Sequence, residues 1–247
     1  MIRIKDYEEL KVRIVNWLKD YYWKYDIKAF VVGVSGGIDS AVVSTLCAET
    51  GFPTYVLTMP LHSKKGNTEL SDAHAKALTK KYSNVRVVDV DLSETYETFL
   101  FNVDQDFVNN KLANANTKSR LRMVTLYQVA GSVGGIVVGT GNKVEDYGVG
   151  FYTKYGDGGV DIAPIADLYK SEVWELGEYL DVDQRIVDAK PTDGLWDDGR
   201  NDEDQIGATY DELEEAMENK TGAAVNILEE YNKKNRHKME PIPTFKL

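Results

Sequence analysis

The stretch AFVVGVSGGIDSAVVSTL, residues 29–46, decides the fold. Its Val-rich first part, 29–34, has the composition of a buried strand, and its last part has that of a helix. The turn between them, 35–40, contains Gly36 and Gly37, which can adopt positive φ and leave room for a ligand beside the backbone. The free N–H groups where such a turn opens a helix favour an anion. The stretch therefore predicts a strand, a phosphate-binding turn and a helix.

The turn also contains a carboxylate, Asp39, beside the hydroxyl donors of Ser35 and Ser40. A carboxylate next to a phosphate repels it unless a divalent cation lies between them. The chemistry therefore predicts phosphate together with Mg²⁺. An ordinary strand-to-helix turn, with Asp39 or Ser40 near the helix start, is the alternative that the local pattern leaves open.

Composition excludes several functional classes. The chain of 247 residues carries 29 Lys and Arg against 40 Asp and Glu, a formal charge of −11. A nucleic-acid partner is disfavoured because it requires a basic face. The single cysteine, Cys47, permits no internal disulfide and no cysteine-based metal site, and we expect it to be a small core residue. No signal peptide and no apolar run of roughly 20 residues is present, so no membrane association and a cytoplasmic location are expected.

Strands and helices alternate along the first half of the chain. Helices are predicted at 7–23 and 68–82, and buried strands at 54–59 and 85–90. This alternation predicts an α/β fold with a parallel sheet and right-handed crossovers. Ligands of such sheets bind beyond the carboxyl ends of the strands, where the 35–40 turn is expected to lie.

The next segment, 94–133, is predicted to be mostly helical, with an Asn-rich break at 112–117. Arg120 and Arg122 would then lie near the start of a helix, where the helix dipole disfavours cations. Solvent or an anionic ligand could compensate for this, and the pattern leaves both open.

A second candidate site follows a predicted strand at 135–139. Thr140 offers a hydroxyl there and Glu145 offers a second carboxylate for a metal. The glycine-rich stretch that comes next interleaves aromatic residues with Lys154, Asp157 and Asp161, which favours a pocket that stacks a flat ring.

The C-terminal half is predicted to consist of further helices and one acidic loop. A helix over 167–180 is expected, with Asp167 or Ser171 near its start and Lys170 at the unfavourable end of its dipole. The acidic segment 190–205 lacks periodicity and predicts either a solvated loop or a substrate lid. Helices are predicted at 210–218 and 223–236, and His62 and His74 are expected at the surface. We find no linker, so we expect one domain spanning 1–247.

Several motifs together resemble one known family. SGGxDS after a strand is similar to the pyrophosphate-binding loop of the ATP pyrophosphatases. The whole set resembles the ammonia-dependent NAD synthetases, which implies a Rossmann-like three-layer α/β/α fold of the adenine nucleotide alpha hydrolase type. The motifs are SGGIDS at 35–40, KSRLRM at 118–123, GTGNKVE at 139–145, FYTKYGDGGVDIAPI at 151–165, KPTDGLWDDGR at 190–200 and RHK at 236–238.

The resemblance also implies roles for individual residues. It assigns Mg²⁺ to Asp39 and Glu145. ATP would contact Gly33, Val34, Ser35, Gly36, Gly37, Ile38, Asp39, Ser40, Thr140, Lys170 and Thr192, and deamido-NAD⁺ would contact Arg120, Lys154, Asp161, His237 and Lys238. Many relatives carry an arginine near the end of the second strand, where this chain reads LTMP.

The reaction implied is the ATP-dependent amidation of deamido-NAD⁺ by ammonia, giving NAD⁺, AMP and pyrophosphate through an adenylated dinucleotide. Free ammonia is the expected donor because the chain has no room for an amidase domain, and the resemblance implies a homodimer. No residue is assigned as general base. One alternative is another ATP pyrophosphatase, such as a tRNA-thiolating enzyme, which would want paired cysteines and a basic surface. A non-catalytic nucleotide-binding module is the other.

Overall fold

A computed structural model describes residues 4–62, 65–192, 195 and 201–246. The helices are α1 (Tyr7–Lys24), α2 (Ile38–Glu49), α3 (Lys65–Lys81), α4 (Ser93–Asn102), α5 (Lys111–Val133), α6 (Lys170–Tyr179), α7 (Gln184–Val187), α8 (Asp202–Ile206), α9 (Tyr210–Asn219) and α10 (Val225–Met239). The strands are β1 (Phe30–Gly33), β2 (Thr54–Thr58), β3 (Val85–Asp89) and β4 (Ile136–Val137). A 3₁₀ turn covers Gln105–Phe107, and a π-helix covers Val144–Val149.

The strands form one parallel sheet in the order β3-β2-β1-β4. Strands β2 and β3 are added in turn on one side of β1, and β4 is then added on the other side of β1. The sheet therefore has its switch in strand order between β1 and β4, where parallel α/β sheets bind their ligands. The predicted α/β class with a parallel sheet is confirmed.

Helices cover both faces of the sheet. On one face Phe30 and Val32 pack against α1, α2 and α6, and on the other Val31 packs with side chains of α4 and α5. Strand β1 is thus buried on both faces, which explains its continuous apolar sequence. A separate apolar cluster joins α8, α9 and α10 to the π-helix, so the C-terminal helices pack against that segment rather than against the sheet.

The predicted Asn-rich break at 112–117 is wrong. Helix α5 runs through this segment, and the interruption precedes it. Asn110 accepts a hydrogen bond from the backbone of Ala113 and thereby caps the helix, and Asn114 donates to the Val108 carbonyl. Arg120 consequently lies inside the helix, so the argument from the helix dipole does not apply to it.

Two further predictions need correction in the C-terminal half. The helix predicted over 167–180 begins at Lys170, so Ser171 lies near its start and Asp167 lies outside it; its cap is Tyr169, whose N–H donates to the Glu172 carboxylate at 2.8 Å. The segment 190–205 is not wholly loop, because α8 forms at its end with Asn201 as its cap. Residues 193, 194 and 196–200 lie outside the described residues.

Cys47 is buried as predicted, but the surface assignment of His74 is wrong. His74 is buried between α2 and α3, where its Nε2 lies 2.9 Å from the Ser44 hydroxyl. Burial lowers the pKa of His74 to about 4, although the Ala41 carbonyl and Asp183 act in the opposite direction. The folded protein therefore holds this imidazole in its neutral form.

His74 should make the protein acid-sensitive. A base whose pKa is lower in the folded state stabilises the fold above about pH 6.5 and loses that contribution as the pH falls toward 4. We expect about 2–3 kcal/mol of the unfolding free energy to disappear between pH 7.5 and 4.5, measured by urea denaturation. His74→Gln should flatten this slope, and His62→Gln, at an exposed site, should leave it unchanged. Equal slopes in wild type and His74→Gln would contradict the assignment.

Candidate active site

The 35–40 turn closes on itself through its two serines. The Ser35 N–H donates to Ser40 Oγ at 3.1 Å, and Ser40 Oγ donates to the Gly37 carbonyl at 3.0 Å. Gly36 has φ of +88°, which lets the chain reverse before α2 begins. The turn therefore presents the N-terminus of α2 beyond the carboxyl end of β1.

A cavity of about 560 Å³ opens at this edge of the sheet, between the turn, the end of β2, α5 and the segment after β4. All the residues that the resemblance assigned to ATP line it: Gly33, Val34, Ser35, Gly36, Gly37, Ile38, Asp39, Ser40, Thr140, Lys170 and Thr192. Glu145 lines it as well. The fold thus brings together segments that lie far apart in the sequence.

Asp39 and Glu145 converge on one cation, the ammonium of Lys170. Its Nζ lies 2.5 Å from Asp39 Oδ2 and 3.0 Å from Glu145 Oε1. Asp39 stands in the first turn of α2, Glu145 in the π-helix and Lys170 at the start of α6. The lysine at the unfavourable end of its helix is therefore explained by two acids supplied by other elements.

Two neutral side chains complete this network. Asn142 donates from Nδ2 to Asp39 Oδ1 at 3.2 Å, and its Oδ1 accepts the N–H groups of Val144 and Glu145. The hydroxyl of Tyr210, on α9, donates to Glu145 Oε1 at 2.7 Å. Sequence reasoning missed both residues. Asn142 lies within the GTGNKVE motif and could have been considered, whereas no local pattern marks Tyr210.

The network is buried, which perturbs its pKa values. Burial, reinforced by Glu145, holds the pKa of Asp39 above its usual range despite Lys170. Burial also acts to raise the pKa of Glu145, but Lys170, Tyr210 and Asn142 outweigh it and the pKa falls below its usual value. Burial acts to lower the pKa of Lys170, yet the two acids raise it above its ordinary value. Lys170 therefore stays charged.

The donor set fits Mg²⁺ bound together with a phosphate. Mg²⁺ prefers oxygen ligands and usually binds proteins through one or two carboxylates plus substrate phosphates and water. Within the described residues, no group of three or more acidic, His or Cys side chains could hold a metal ion by itself. Asp39 and Glu145 supply the two carboxylates that such a nucleotide-bound Mg²⁺ would use.

Further acids line the same cavity, and Asp146 is one of them. Burial together with Glu145, Asp157 and Asp39 raises the pKa of Asp146 to about 8. The neighbouring Gly141 leaves it space, since a Cβ there would lie 2.3 Å from Asp146 Oδ2. Burial and the neighbouring acids therefore favour the neutral form of Asp146, a residue that no sequence pattern marked.

The residues assigned to deamido-NAD⁺ lie outside this cavity. Four of them gather on one surface: Arg120 donates to the Lys154 carbonyl, Lys154 Nζ to the His237 carbonyl, and Lys238 Nζ to the carbonyls of Gly150 and Tyr152. Asp161 lies apart from them, where it accepts the N–H of Val137 at 2.7 Å and the hydroxyl of Tyr127 at 3.0 Å.

An arginine reaches the end of β2 from another element. Arg122, on α5, lines the cavity and donates from Nε to the Met59 carbonyl at 3.3 Å. This guanidinium lies beside the LTMP segment, near the place where the resemblance led us to look for an arginine in the strand. The helix thus brings a cation to this edge of the cavity.

The two glycines of the turn should respond differently to alanine. Gly36 has φ of +88°, so Gly36→Ala is expected to lower the unfolding free energy by about 1–2 kcal/mol. Gly37 has φ of −93°, and a Cβ there would meet only Ser35 Oγ at 3.4 Å. Gly37→Ala should therefore cost only about 0.5 kcal/mol, the loss of a glycine at the helix cap. Urea denaturation of both variants tests this, and equal losses would contradict the turn geometry.

The fold and the cavity define a class, the parallel α/β proteins that bind ligands at a switch in strand order. The chain belongs to the NAD synthase family, whose model matches residues 10–242. It is 37% identical over 239 residues to the NH(3)-dependent NAD(+) synthetase of Carboxydothermus hydrogenoformans, covering 94% of this chain and 95% of that protein. The predicted family is confirmed.

Solved structures agree with this assignment. The NMN synthetase of Francisella tularensis superposes with a TM-score of 0.91 at 34% identity, covering 99% of this chain and 100% of that one. The NH3-dependent NAD synthetase of Campylobacter jejuni shares the fold with a TM-score of 0.80 at 23% identity, covering 98% and 100%. In the described part of the chain, no helix combines the length and hydropathy that a bilayer crossing requires.

Proposed function

We propose that this chain is a carbon–nitrogen ligase that makes NAD⁺ from deamido-NAD⁺, ammonia and ATP, releasing AMP and pyrophosphate. The observation that carries the proposal is the convergence of Asp39 and Glu145 on one cation beside the 35–40 turn. The turn, the helix N-terminus and Lys170 together form a site for a triphosphate. A purely nucleotide-binding module would not require a second acid there.

The reaction solves a leaving-group problem. A carboxylate oxygen is a poor leaving group, so the nicotinate carboxylate first attacks the α-phosphorus of ATP, and pyrophosphate departs. Ammonia then attacks the carboxyl carbon of this adenylate, AMP leaves with the oxygen, and a proton is lost from nitrogen. The chain contributes mainly positioning and charge stabilisation. No residue is assigned as the base for that proton.

Residues of the cavity have separate tasks in this scheme. The N–H groups of the turn and the hydroxyls of Ser35 and Ser40 bind phosphate oxygens, and Lys170 neutralises charge on them. Asp39 and Glu145 would hold Mg²⁺, which when bound supplies charge neutralisation to the departing pyrophosphate. Thr140 and Thr192, which also line the cavity, are proposed to contact ATP.

A second subunit is proposed to complete the site for deamido-NAD⁺. The cluster of Arg120, Lys154, His237 and Lys238 lies on the surface outside the cavity, where a partner could cover a dinucleotide. Exposed apolar side chains support this, since Phe101, near the end of α4, is 82% exposed and Phe107, between α4 and α5, is 70% exposed. Light scattering should then report twice the mass of one chain.

ATP and dinucleotide substrates suit a cytoplasmic location.

A second candidate is the same chemistry on a smaller substrate. The Francisella tularensis protein, which superposes over the whole chain with a TM-score of 0.91, is named an NMN synthetase. Amidation of nicotinate mononucleotide would give that product through the corresponding adenylate, with pyrophosphate and then AMP as the leaving groups. The mononucleotide lacks the second nucleotide half, so kcat/KM measured on both substrates separates the candidates.

The test is an assay with ATP, Mg²⁺, ammonium and deamido-NAD⁺. We expect NAD⁺, AMP and pyrophosphate in equal amounts, and no product when glutamine replaces ammonium. A higher kcat/KM for nicotinate mononucleotide would transfer the assignment to the second candidate. Formation of ADP instead of AMP would contradict attack at the α-phosphorus.

A further inference from the structure

Lys170 occupies the space between the two acids that the proposed function gives to a metal. Its ammonium contacts both Asp39 and Glu145, and its side chain is only 2% exposed. The ring of Tyr210 lies 5.0 Å from Nζ and that of Trp174 lies 6.0 Å from it. Carboxylates and aromatic faces both stabilise a cation, so the protein has built an internal binding site for this ammonium.

We propose that Lys170 is the resident cation of the Asp39–Glu145 pair and that a divalent cation enters the pair only when a bound nucleotide draws the ammonium away. The inference rests on the proposed function, because it takes this pair as the metal site. Metal and nucleotide binding are then coupled, each strengthening the other.

Charge and geometry support this exchange. A divalent cation placed beside Asp39 and Glu145 while Lys170 remained there would face a positive charge at contact distance, in a buried site where screening is weak. Mg²⁺ also loses its bound water at a high cost in free energy. Two carboxylates whose charge Lys170 already neutralises in part would compensate for little of that cost. A triphosphate changes both conditions, since it supplies further oxygen ligands and another anionic partner for the ammonium.

The chain is suited to release the lysine. Lys170 lines the cavity, and a four-carbon stem with a compact charge can swing toward a phosphate without movement of α6. The acids would stay in place, because Asn142 holds Asp39 and Tyr210 holds Glu145. These two bonds keep the pair together during the exchange.

The experiment measures Mn²⁺ binding in the absence of nucleotide. Electron paramagnetic resonance detects the free ion, so binding is measured as the decrease in the signal of free Mn²⁺ when protein is added. Wild type should bind Mn²⁺ weakly, and Lys170→Gln should bind one Mn²⁺ at least roughly tenfold more tightly, which corresponds to about 1.4 kcal/mol. Lys170→Gln combined with Asp39→Asn should lose that gain. Lys143→Met is the matched control, since Lys143 pairs with Asp167 at 2.8 Å outside the acid pair, and it should behave as wild type.

Two results would overturn the exchange: wild type that binds Mn²⁺ as tightly as Lys170→Gln, or a folded Lys170→Gln that binds no better than wild type. If Lys170→Gln does not fold, two measurements on the wild type test the exchange. The affinity for α,β-methylene-ATP must rise when Mg²⁺ is added. Mg²⁺ without nucleotide must not raise the melting temperature more than NaCl does at equal ionic strength. These readouts need no turnover. If the protein makes NAD⁺ but binds Mn²⁺ tightly without nucleotide, only the exchange is refuted. If Mn²⁺ binding is as expected but no NAD⁺ is made, only the proposed function is refuted.

Discussion

Asp39→Asn and Glu145→Gln are each expected to reduce kcat by about 10³-fold or more, the scale seen when a group that stabilises transition-state charge is removed. Each change keeps the shape of the side chain and removes one charge from the pair. Lys170 retains the other acid as its ionic partner, so the fold should survive. Steady-state assays with saturating ATP and ammonium, together with circular dichroism, measure both quantities.

The matched control is Asp167→Asn. Asp167 is also an acid near the start of α6, but its side chain is 96% exposed and pairs with Lys143. Its loss should leave kcat within about twofold, since exposed ion pairs contribute little. Asp39→Asn that retained a tenth of the wild-type rate would show that the acid pair is not part of the catalytic machinery.

Gly135→Ala is expected to lower the unfolding free energy by about 3 kcal/mol, at the upper end of the usual cost of overpacking. A Cβ at Gly135 would lie 2.7 Å from the Ala29 carbonyl oxygen and 3.1 Å from the Ala29 Cβ. The first of these is a backbone atom and cannot rotate away. Relief requires β4 to move from β1, which also displaces Thr140 and Glu145 from Asp39.

The control for this prediction lies four residues earlier. Gly131, in α5, has no atom within 4 Å of an added Cβ. Gly131→Ala should therefore stabilise the protein by about 0.5–1 kcal/mol, the difference in helix propensity. Urea denaturation of both variants decides the matter. Similar changes in the two would show that the approach of β4 to β1 is not tight.

Much of the fold and of the acid pair could be predicted because the evidence for them is local. The apolar run before the 35–40 turn is continuous because β1 is buried on both faces, and a sequence pattern records that directly. Asp39 and Glu145 each follow a strand, and the carboxyl ends of parallel strands lie at one edge of a sheet. Their convergence followed from topology alone.

The remaining features depend on contacts between distant segments. Tyr210 reaches Glu145 from a helix that packs beside the sheet. No neighbouring residue in the sequence indicates that its hydroxyl would contact a buried acid. His74 lies on a helix face with polar neighbours in the sequence, yet Ser44 of α2 covers it. The Asn-rich segment 112–117 predicts a helix break, but Asn110 caps α5 and the helix runs through that segment.

The proposed function requires Asp39 and Glu145 to hold one metal ion together with the triphosphate of ATP. A crystal structure with Mg²⁺ and α,β-methylene-ATP, which cannot be cleaved at the reacting bond, tests it most directly. We expect one Mg²⁺ at about 2.0–2.1 Å from an oxygen of each acid and from a phosphate oxygen, with the Lys170 ammonium contacting the phosphates. A triphosphate bound away from the 35–40 turn, or the two acids on separate ions, would contradict it.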